Sequence, residues 1–234
     1  MQQAITVLCV AMTLGIYIVI QSLYKKYRHP LLNVVALCAA LVIAFLVLCG
    51  LSWQDYAPAK DIMTFLLGPA TMVLAVPLYR YRALMQRCAF PIVLGIASGA
   101  FVTMVSAGLI ARLGGLPEEV VMSIIPKGVS IPFAVGISEV LQGIPALTAA
   151  FVVATGVFGA LLMPWTMTKS GIHGPVARGL CLGTVAHGQG ILTALEEGEL
   201  QGGMAGLAMI LAGIFTALTA PWVVQLLQWF NWGW

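Results

Sequence analysis

Lys127 is the residue in this chain best suited to chemistry. It stands between Pro126 and Gly128, and in the stretch from Met122 to Thr148 the only other charged residue is Glu139. Ser130 reads as a helix N-cap, with Pro132 tolerated in the first turn. The helix is predicted to run to about Gln142, where Gly143 and Pro145 form a stop signal. Such a helix is roughly 18 Å long, about half a bilayer core. The stretch therefore reads as a broken or re-entrant helix with a lysine beside its N-terminus. A cation next to unpaired N–H groups suits an anion. The competing reading is a lysine that snorkels to an interface or pairs with a glutamate for structure.

Two further residues invite the same question. His187 lies in the Gly-rich run Gly183-Thr-Val-Ala-His-Gly188-Gln-Gly190. It can bind a carboxylate or carry a proton, or it can simply be satisfied by backbone carbonyls. The glycines, Gly188 among them, permit close backbone approach. Glu139 is either a coupling-proton carrier or the solvated end of a half-helix. The spacing holds no metal-ligand set, Walker loop, dinucleotide fingerprint or nucleophile elbow. The reading is therefore not an enzyme, with no cofactor and no metal.

The elements that position these residues are membrane helices. Hydrophobic residues make up 61% of the chain and charged ones 8%, with mean hydropathy +1.01, whereas soluble domains carry roughly 25% charged residues. The 234 residues accommodate six to eight hydrophobic segments in one all-α polytopic domain over 1–234. The net charge of +3 implies no nucleic-acid partner. The five cysteines read as apolar packers.

Taken in order, apolar segments cover 4–24, 31–53, 62–79, 90–111, 145–168, 179–195 and 204–230, with the Lys127 element between the fourth and fifth. The segment 31–53 closes with an interfacial Trp, and 62–79 is broken at Gly68-Pro69. Basic loops at 25–30 and 80–87 are expected in the cytoplasm. The loop 169–178 is basic as well. Placing it in the cytoplasm requires the Lys127 element to enter and leave on one side. The Glu196-Glu197-Gly-Glu199 cluster reads as an exposed turn, and Trp229, Trp232 and Trp234 as an aromatic belt.

An internal echo accompanies this order. Gly156-Val-Phe-Gly-Ala-Leu-Leu-Met-Pro-Trp165 resembles Gly213-Ile-Phe-Thr-Ala-Leu-Thr-Ala-Pro-Trp222, and the same spacing links Glu139 to Glu196. It links Pro69 to Pro126 and Phe101 to Phe158 as well. Either the chain is three units, each a broken helix followed by a full span, or residues this rich in Ala, Leu and Gly match by chance.

Three stretches resemble the LrgB/CidB family of bacterial membrane proteins, including its YohK-type members. They are Leu67-Gly-Pro-Ala-Thr-Met-Val-Leu-Ala-Val-Pro-Leu-Tyr-Arg80; Pro126-Lys-Gly-Val-Ser-Ile-Pro132 with Gly143-Ile-Pro-Ala-Leu-Thr148; and Ala177-Arg-Gly-Leu-Cys-Leu-Gly-Thr-Val-Ala-His-Gly188 with Leu195-Glu-Glu-Gly-Glu199. The resemblance runs through essentially the whole chain. It departs at Gly128, Ser130 and Ile131, where the family usually has Ser, Thr and Thr. It departs again at Ala186 for Ser, and at Ile191 and Thr193 for Thr and Arg.

The family implies transport of small carboxylates of the glycolate, glycerate or pyruvate type across the inner (cytoplasmic) membrane, with a small LrgA/CidA-type partner. A plant plastid relative that looks like an LrgA–LrgB fusion moves glycolate and glycerate. The family equally implies holin- or antiholin-like control of murein hydrolases and autolysis. A scaffold that only packs with its partner is a third reading, and a homo-oligomer stays open. The lysine favours transport. On that reading Lys127 and Ser130 bind the carboxylate, and His187, Gly188, Gly68 and Pro69 line the opposite wall.

Overall fold

The computed structural model describes residues 2–27, 34–73 and 75–229. Among them every regular element is helical and there is no strand. His29, Trp232 and Trp234 lie outside the described residues. The chain forms two compact units, Met1–Val73 and Leu74–Trp234.

The first unit holds α1 (Gln2–Tyr27), α2 (Val34–Leu48) and α3 (Trp53–Val73). Cys9, Val42, Leu46, Tyr56 and Ala59 form its buried centre. The apolar stretch 31–53 does not run unbroken to Trp53. It is cut at Gly50, where φ is +64°. The Gly50 N–H donates to Val47 O (3.2 Å) and the Leu51 N–H to Leu46 O (2.9 Å), the paired bonds that end a helix at a left-handed residue. Trp53 therefore opens α3 instead of closing α2. Ser52 and Asp55 cap α3 reciprocally: the Ser52 N–H donates to Asp55 Oδ2 (2.9 Å) and the Asp55 N–H to Ser52 Oγ (3.4 Å).

The expected break at Gly68-Pro69 is also absent, because α3 continues through both residues to Val73. A proline forfeits one backbone bond, and a helix can carry that loss without ending. Pro164 and Pro221 sit inside helices in the same way.

The second unit contains α4 (Ala75–Arg80), α5 (Arg82–Arg87), α6 (Ala89–Leu113), α7 (Glu118–Ile124), a 3-10 turn (Ile125–Gly128), α8 (Ile131–Val140), α9 (Pro145–Lys169), α10 (Pro175–Glu197) and α11 (Glu199–Trp229). Four described helices are long and apolar enough to cross a membrane: α1 through Ile5–Tyr24, and α6, α9 and α11. The protein is an all-α, multi-pass membrane protein.

Two elements of the second unit turn back on themselves. Arg178 and Glu197 lie near the two ends of α10. A straight helix would hold them about 28 Å apart, yet Arg178 Nε donates to Glu197 Oε2 at 2.7 Å. The reversal is at His187, whose φ of 42° and ψ of −124° are not helical. The two halves, 175–186 and 188–197, lie close enough that a Cβ on Gly190 would collide with Leu182 O. The stretch from α7 to α8 behaves alike. The Ile144 N–H donates to Ser123 Oγ at 2.7 Å across 21 residues, where a straight helix would separate them by about 31 Å. Its turn is the 3-10 segment followed by extended Val129 and Ser130.

These hairpins open at opposite ends of α9. The mouth of the first, at Ser123, Gly143 and Thr148, sits at the start of α9. The mouth of the second sits at its end, where Arg178 donates to Thr168 Oγ1 (3.2 Å) and Ile172 O (2.9 Å). From Thr148 to Thr168 α9 rises about 30 Å, the thickness of a hydrocarbon core. The hairpins thus enter from opposite faces.

The sequence echo recurs in the elements. Glu118 and Pro175 begin the two hairpins, Val140 and Glu197 end them, and each pair is 57 residues apart. Ser130 and His187, at the two tips, have the same separation. Each hairpin is followed by a full span, so the repeat is an inverted pair, the arrangement in which discontinuous helices meet mid-membrane.

The Glu196–Glu199 cluster is not merely an exposed turn. Glu197 pairs with Arg178, and Glu199 with Arg80 at 2.5 Å. Arg80, Arg82, Arg87, Lys169 and Arg178 gather at this end of the unit. The opposite end holds Arg112, Glu118, Glu119 and Glu139.

Candidate functional site at the hairpin tips

The first tip is built by helix breakers. The 3-10 turn carries Lys127, with Pro126 and Gly128 buried on either side and the lysine half-buried. Ser130 (φ −64°, ψ 151°) is the predicted N-cap of α8, but its hydroxyl makes no capping bond. Pro132 has no N–H, so the hydroxyl and the remaining first-turn N–H groups are left for a ligand. Among the described residues Lys127 makes no ion pair or hydrogen bond.

A clasp of buried hydroxyls holds this tip in place. Ser123, Ser138 and Thr148 are fully buried. Ser123 Oγ donates to Glu119 O (2.6 Å), and Thr148 Oγ1 to Ser138 Oγ (2.7 Å). Gly143 is required there because a Cβ would lie 2.6 Å from Ser138 Oγ and 2.9 Å from Ser123 N. The left-handed residue that ends α8 is Gln142 (φ 61°), one position before the glycine that the stop signal suggested. The Gly143 N–H donates to Ser138 O (2.8 Å) and the Gln142 N–H to Glu139 O (3.2 Å). Close packing, not backbone freedom, fixes the glycine at 143.

The second tip is His187 itself. It is 6% exposed, and its Nε2 lies 3.0 Å from Val152 O of α9. Gly156 admits the ring, since a Cβ there would lie 2.7 Å from His187 Cε1. Ala186 rests on Gly159, where a Cβ would come within 2.7 Å. Gly156 and Gly159 flank the midpoint of α9, so the tip lies halfway along a full span. Gly188 is exposed, with open space at its Cβ position. Gln189 Oε1 is buried and has no hydrogen-bond partner among the described residues.

The tips adjoin. A Cβ on Gly128 would lie 3.8 Å from Thr184 O, one turn before His187, and 3.0 Å from the Thr103 methyl of α6. Thr184 in turn rests on Gly99 of α6. Lys127, Ser130, His187 and Gly188 therefore belong to two segments in contact. Glu139 is exposed near the end of α8, away from both tips. Gly68 and Pro69 lie in the first unit, and their side-chain surroundings are outside the described residues. Thr103, Thr184 and Thr216, which surround Gly128, were not singled out from sequence, because a threonine in an apolar helix carries no spacing signal. A groove of about 300 Å³ between α8 and α11, bounded by Pro132, Phe133, Ile137 and Pro221, has no polar side chain to hold an anion.

Opposed hairpins whose tips meet halfway along the spans define a helical membrane protein with a discontinuous-helix core. More particularly, the chain belongs to the LrgB-like family, whose model matches residues 13–226. It is 31% identical over 214 residues to YwbG of Bacillus subtilis, covering 92% of this chain and 95% of that protein. It is 31% identical over 206 residues to the antiholin-like protein LrgB of Bacillus subtilis, covering 88% and 89%. It is 24% identical over 220 residues to the holin-like protein CidB of Staphylococcus epidermidis, covering 94% and 96%. No solved structure matches.

Proposed function

We propose that this protein is a carrier subunit for small carboxylates, of the glycolate, glycerate or pyruvate type, in the inner membrane. The observation that carries the reading is the meeting of two oppositely inserted hairpins, one bearing Lys127 without a counter-charge among the described residues. An anion leaving water must be compensated by a fixed charge and by oriented N–H groups. Lys127, the Ser130 hydroxyl and the start of α8 supply both, and His187 and Gly188 stand on the facing tip. The end carrying Arg80, Arg82, Arg87, Lys169 and Arg178 faces the cytoplasm on the positive-inside rule. A small LrgA-type membrane protein is the proposed partner.

A second reading, a holin- or antiholin-like modulator of murein hydrolase activity, is the one the relatives' names favour. Flux of labelled glycolate, glycerate, pyruvate and lactate into proteoliposomes separates the two. Wild type and Lys127→Ala are compared, each with and without an LrgA-type partner. Saturable flux that drops to the empty-vesicle level in Lys127→Ala supports the carrier. Folded protein that moves none of the four, alone or with the partner, leaves the modulator reading.

A further inference from the structure

We propose that His187 selects among carboxylates by accepting a hydrogen bond from a hydroxyl on the carbon next to the carboxylate. The site then takes 2-hydroxy acids in preference to 2-keto acids of the same skeleton. This rests on the carrier reading for the position of the carboxylate at Lys127, but it does not require that the acid crosses.

The surroundings of the ring decide which nitrogen is left over. Nε2 lies 3.0 Å from Val152 O. A carbonyl oxygen only accepts, so in the neutral ring Nε2 carries the hydrogen and Nδ1 is the acceptor. Nδ1 makes no hydrogen bond among the described residues. The side chain is buried halfway along a full span, where a polar atom without a partner is costly. The ring is not free to turn toward another donor. A Cβ on Gly156 would lie 2.7 Å from its Cε1 and 3.0 Å from its Nε2, and the reversal of α10 sets the backbone that carries it.

Gln189 brings a second polar group without a partner to the same place. Its Cδ would lie 3.1 Å from a Cβ on Gly156, so the amide and the imidazole rest side by side on α9. Its Oε1 is buried and unpartnered among the described residues. An amide can turn over and present N–H in place of oxygen, so Gln189 adds polarity without choosing its sign. His187, held by Val152, makes that choice. Gly188, between the two in sequence, has open space at its Cβ position.

The tips therefore differ in chemistry. The first carries a cation, Lys127, and the second an acceptor, His187 Nδ1. A 2-hydroxy acid matches both, with its carboxylate at Lys127 and its O–H donated to Nδ1. An acid without the hydroxyl leaves Nδ1 unpaired. A 2-keto acid sets a second acceptor against it, which is worse. The expected order is hydroxy, unsubstituted, keto. A donor at this position would reverse the last two.

The experiment is the thermal midpoint of the full chain in mild detergent, titrated with lactate, propionate or pyruvate at equal ionic strength. These three-carbon acids differ only at the carbon next to the carboxylate. Lactate is expected to raise the midpoint by roughly 2–4 °C at saturation. Its half-saturation should fall roughly 3- to 10-fold below that of propionate, with pyruvate the weakest. In His187→Gly the three should converge, and in Lys127→Ala none should raise the midpoint. Equal half-saturation in wild type, the result if Nδ1 meets only water, overturns the proposal and leaves the carrier reading standing. So does pyruvate ahead of lactate, or a lactate preference kept in folded His187→Gly. Should that variant not fold, the wild-type order decides alone. No rise with any of the acids removes the proposal together with the Lys127 site on which it rests. A lactate-preferring rise without flux in proteoliposomes keeps the role of His187 and removes only the carrier.

Discussion

Arg178 and Glu197 lie 19 residues apart in the chain and are joined side by side, Nε to Oε2 at 2.7 Å and Nη2 to Oε1 at 2.5 Å. This bidentate pair closes the mouth of the second hairpin. Arg178 also donates to Ile172 O at 2.9 Å, which ties the mouth to the end of α9. The side chains are 12% and 20% exposed, and the carboxylate holds the Arg178 guanidinium above its ordinary pKa. The arginine is therefore a permanent cation. Removing one partner of a buried pair costs about 3–5 kcal/mol. The residual exposure lowers the expected loss for Arg178→Ala to about 2–3 kcal/mol. Denaturant unfolding in mild detergent measures it, and the exchanged double variant (R178E with E197R) should recover part of the loss. An unfolding curve for Arg178→Ala that overlays wild type would mean that the hairpin is held shut elsewhere.

Gly183 of α10 and Gly136 of α8 differ in what a side chain would touch. A Cβ on Gly183 would collide with the Ala205 carbonyl of α11, a backbone atom that cannot move alone. Gly183→Ala should cost on the order of 3 kcal/mol or more, as overpacking with backbone displacement does. Gly136 on α8 has nothing within 4 Å of its Cβ position. Gly136→Ala should be neutral or stabilising by up to about 1 kcal/mol, because alanine is the better helix former. Equal effects of the two substitutions would contradict the close packing of α10 on α11.

His187 bears two opposed contributions. Its positive φ costs on the order of 1–3 kcal/mol in a residue other than glycine, while Nε2 engages Val152 O at 3.0 Å. His187→Gly removes the strain together with the bond and should stay within about 1 kcal/mol of wild type. His187→Ala keeps the strain and loses the bond, so it should be the less stable of the two. The order of their thermal midpoints tests this, and an alanine variant as stable as the glycine variant would show that the backbone there is not strained.

Much of this arrangement was legible in the residues. Lys127 between Pro126 and Gly128, Ser130 as N-cap and the interrupted run around His187 are where the sequence places them. The echo between Gly156–Trp165 and Gly213–Trp222 also corresponds to repeated elements. The reversal at His187 was not legible. Half-helices of ten to twelve residues, both apolar, read as a single interrupted span until Arg178 and Glu197 are seen to touch. The third apolar segment misled for the opposite reason: Gly68-Pro69 has the composition of a break, and α3 passes through it. Local propensity marks where a helix can stop, but tertiary partners decide whether it does.

The cap of α3 gives a pH dependence. Hydrogen bonds from the Ser52 hydroxyl and N–H hold the Asp55 carboxyl below its ordinary pKa. A carboxyl lowered in the folded state contributes its full stabilisation above the unfolded value, about 3.9. That contribution disappears as pH falls through the folded value. Protection of the amides at the start of α3, taken against their intrinsic exchange rates, should therefore fall below about pH 4. Asp55→Asn should show that lower protection at neutral pH as well and lose the acid dependence. Acid-independent protection of these amides in wild type would show that the Ser52–Asp55 contacts do not form in the membrane.

The opposed hairpins make a prediction about sidedness. Glu118 and Glu139 are exposed at the two limbs of the first hairpin, and His173 and Glu196 beside those of the second. Each of these four can be replaced by cysteine after the native Cys9, Cys38, Cys49, Cys88 and Cys181 are removed. A membrane-impermeant thiol reagent applied from outside should then label the cysteines at 118 and 139, and those at 173 and 196 only after permeabilisation. Were α10 a full crossing, positions 173 and 196 would label from opposite sides. Were the stretch from α7 to α8 a crossing, 118 and 139 would separate in the same way. Only two re-entrant elements give matched labelling within each pair and opposite labelling between them. That pattern would place Lys127 and His187 between the two membrane faces, where a lysine needs a partner and where an anion crossing the bilayer would meet it.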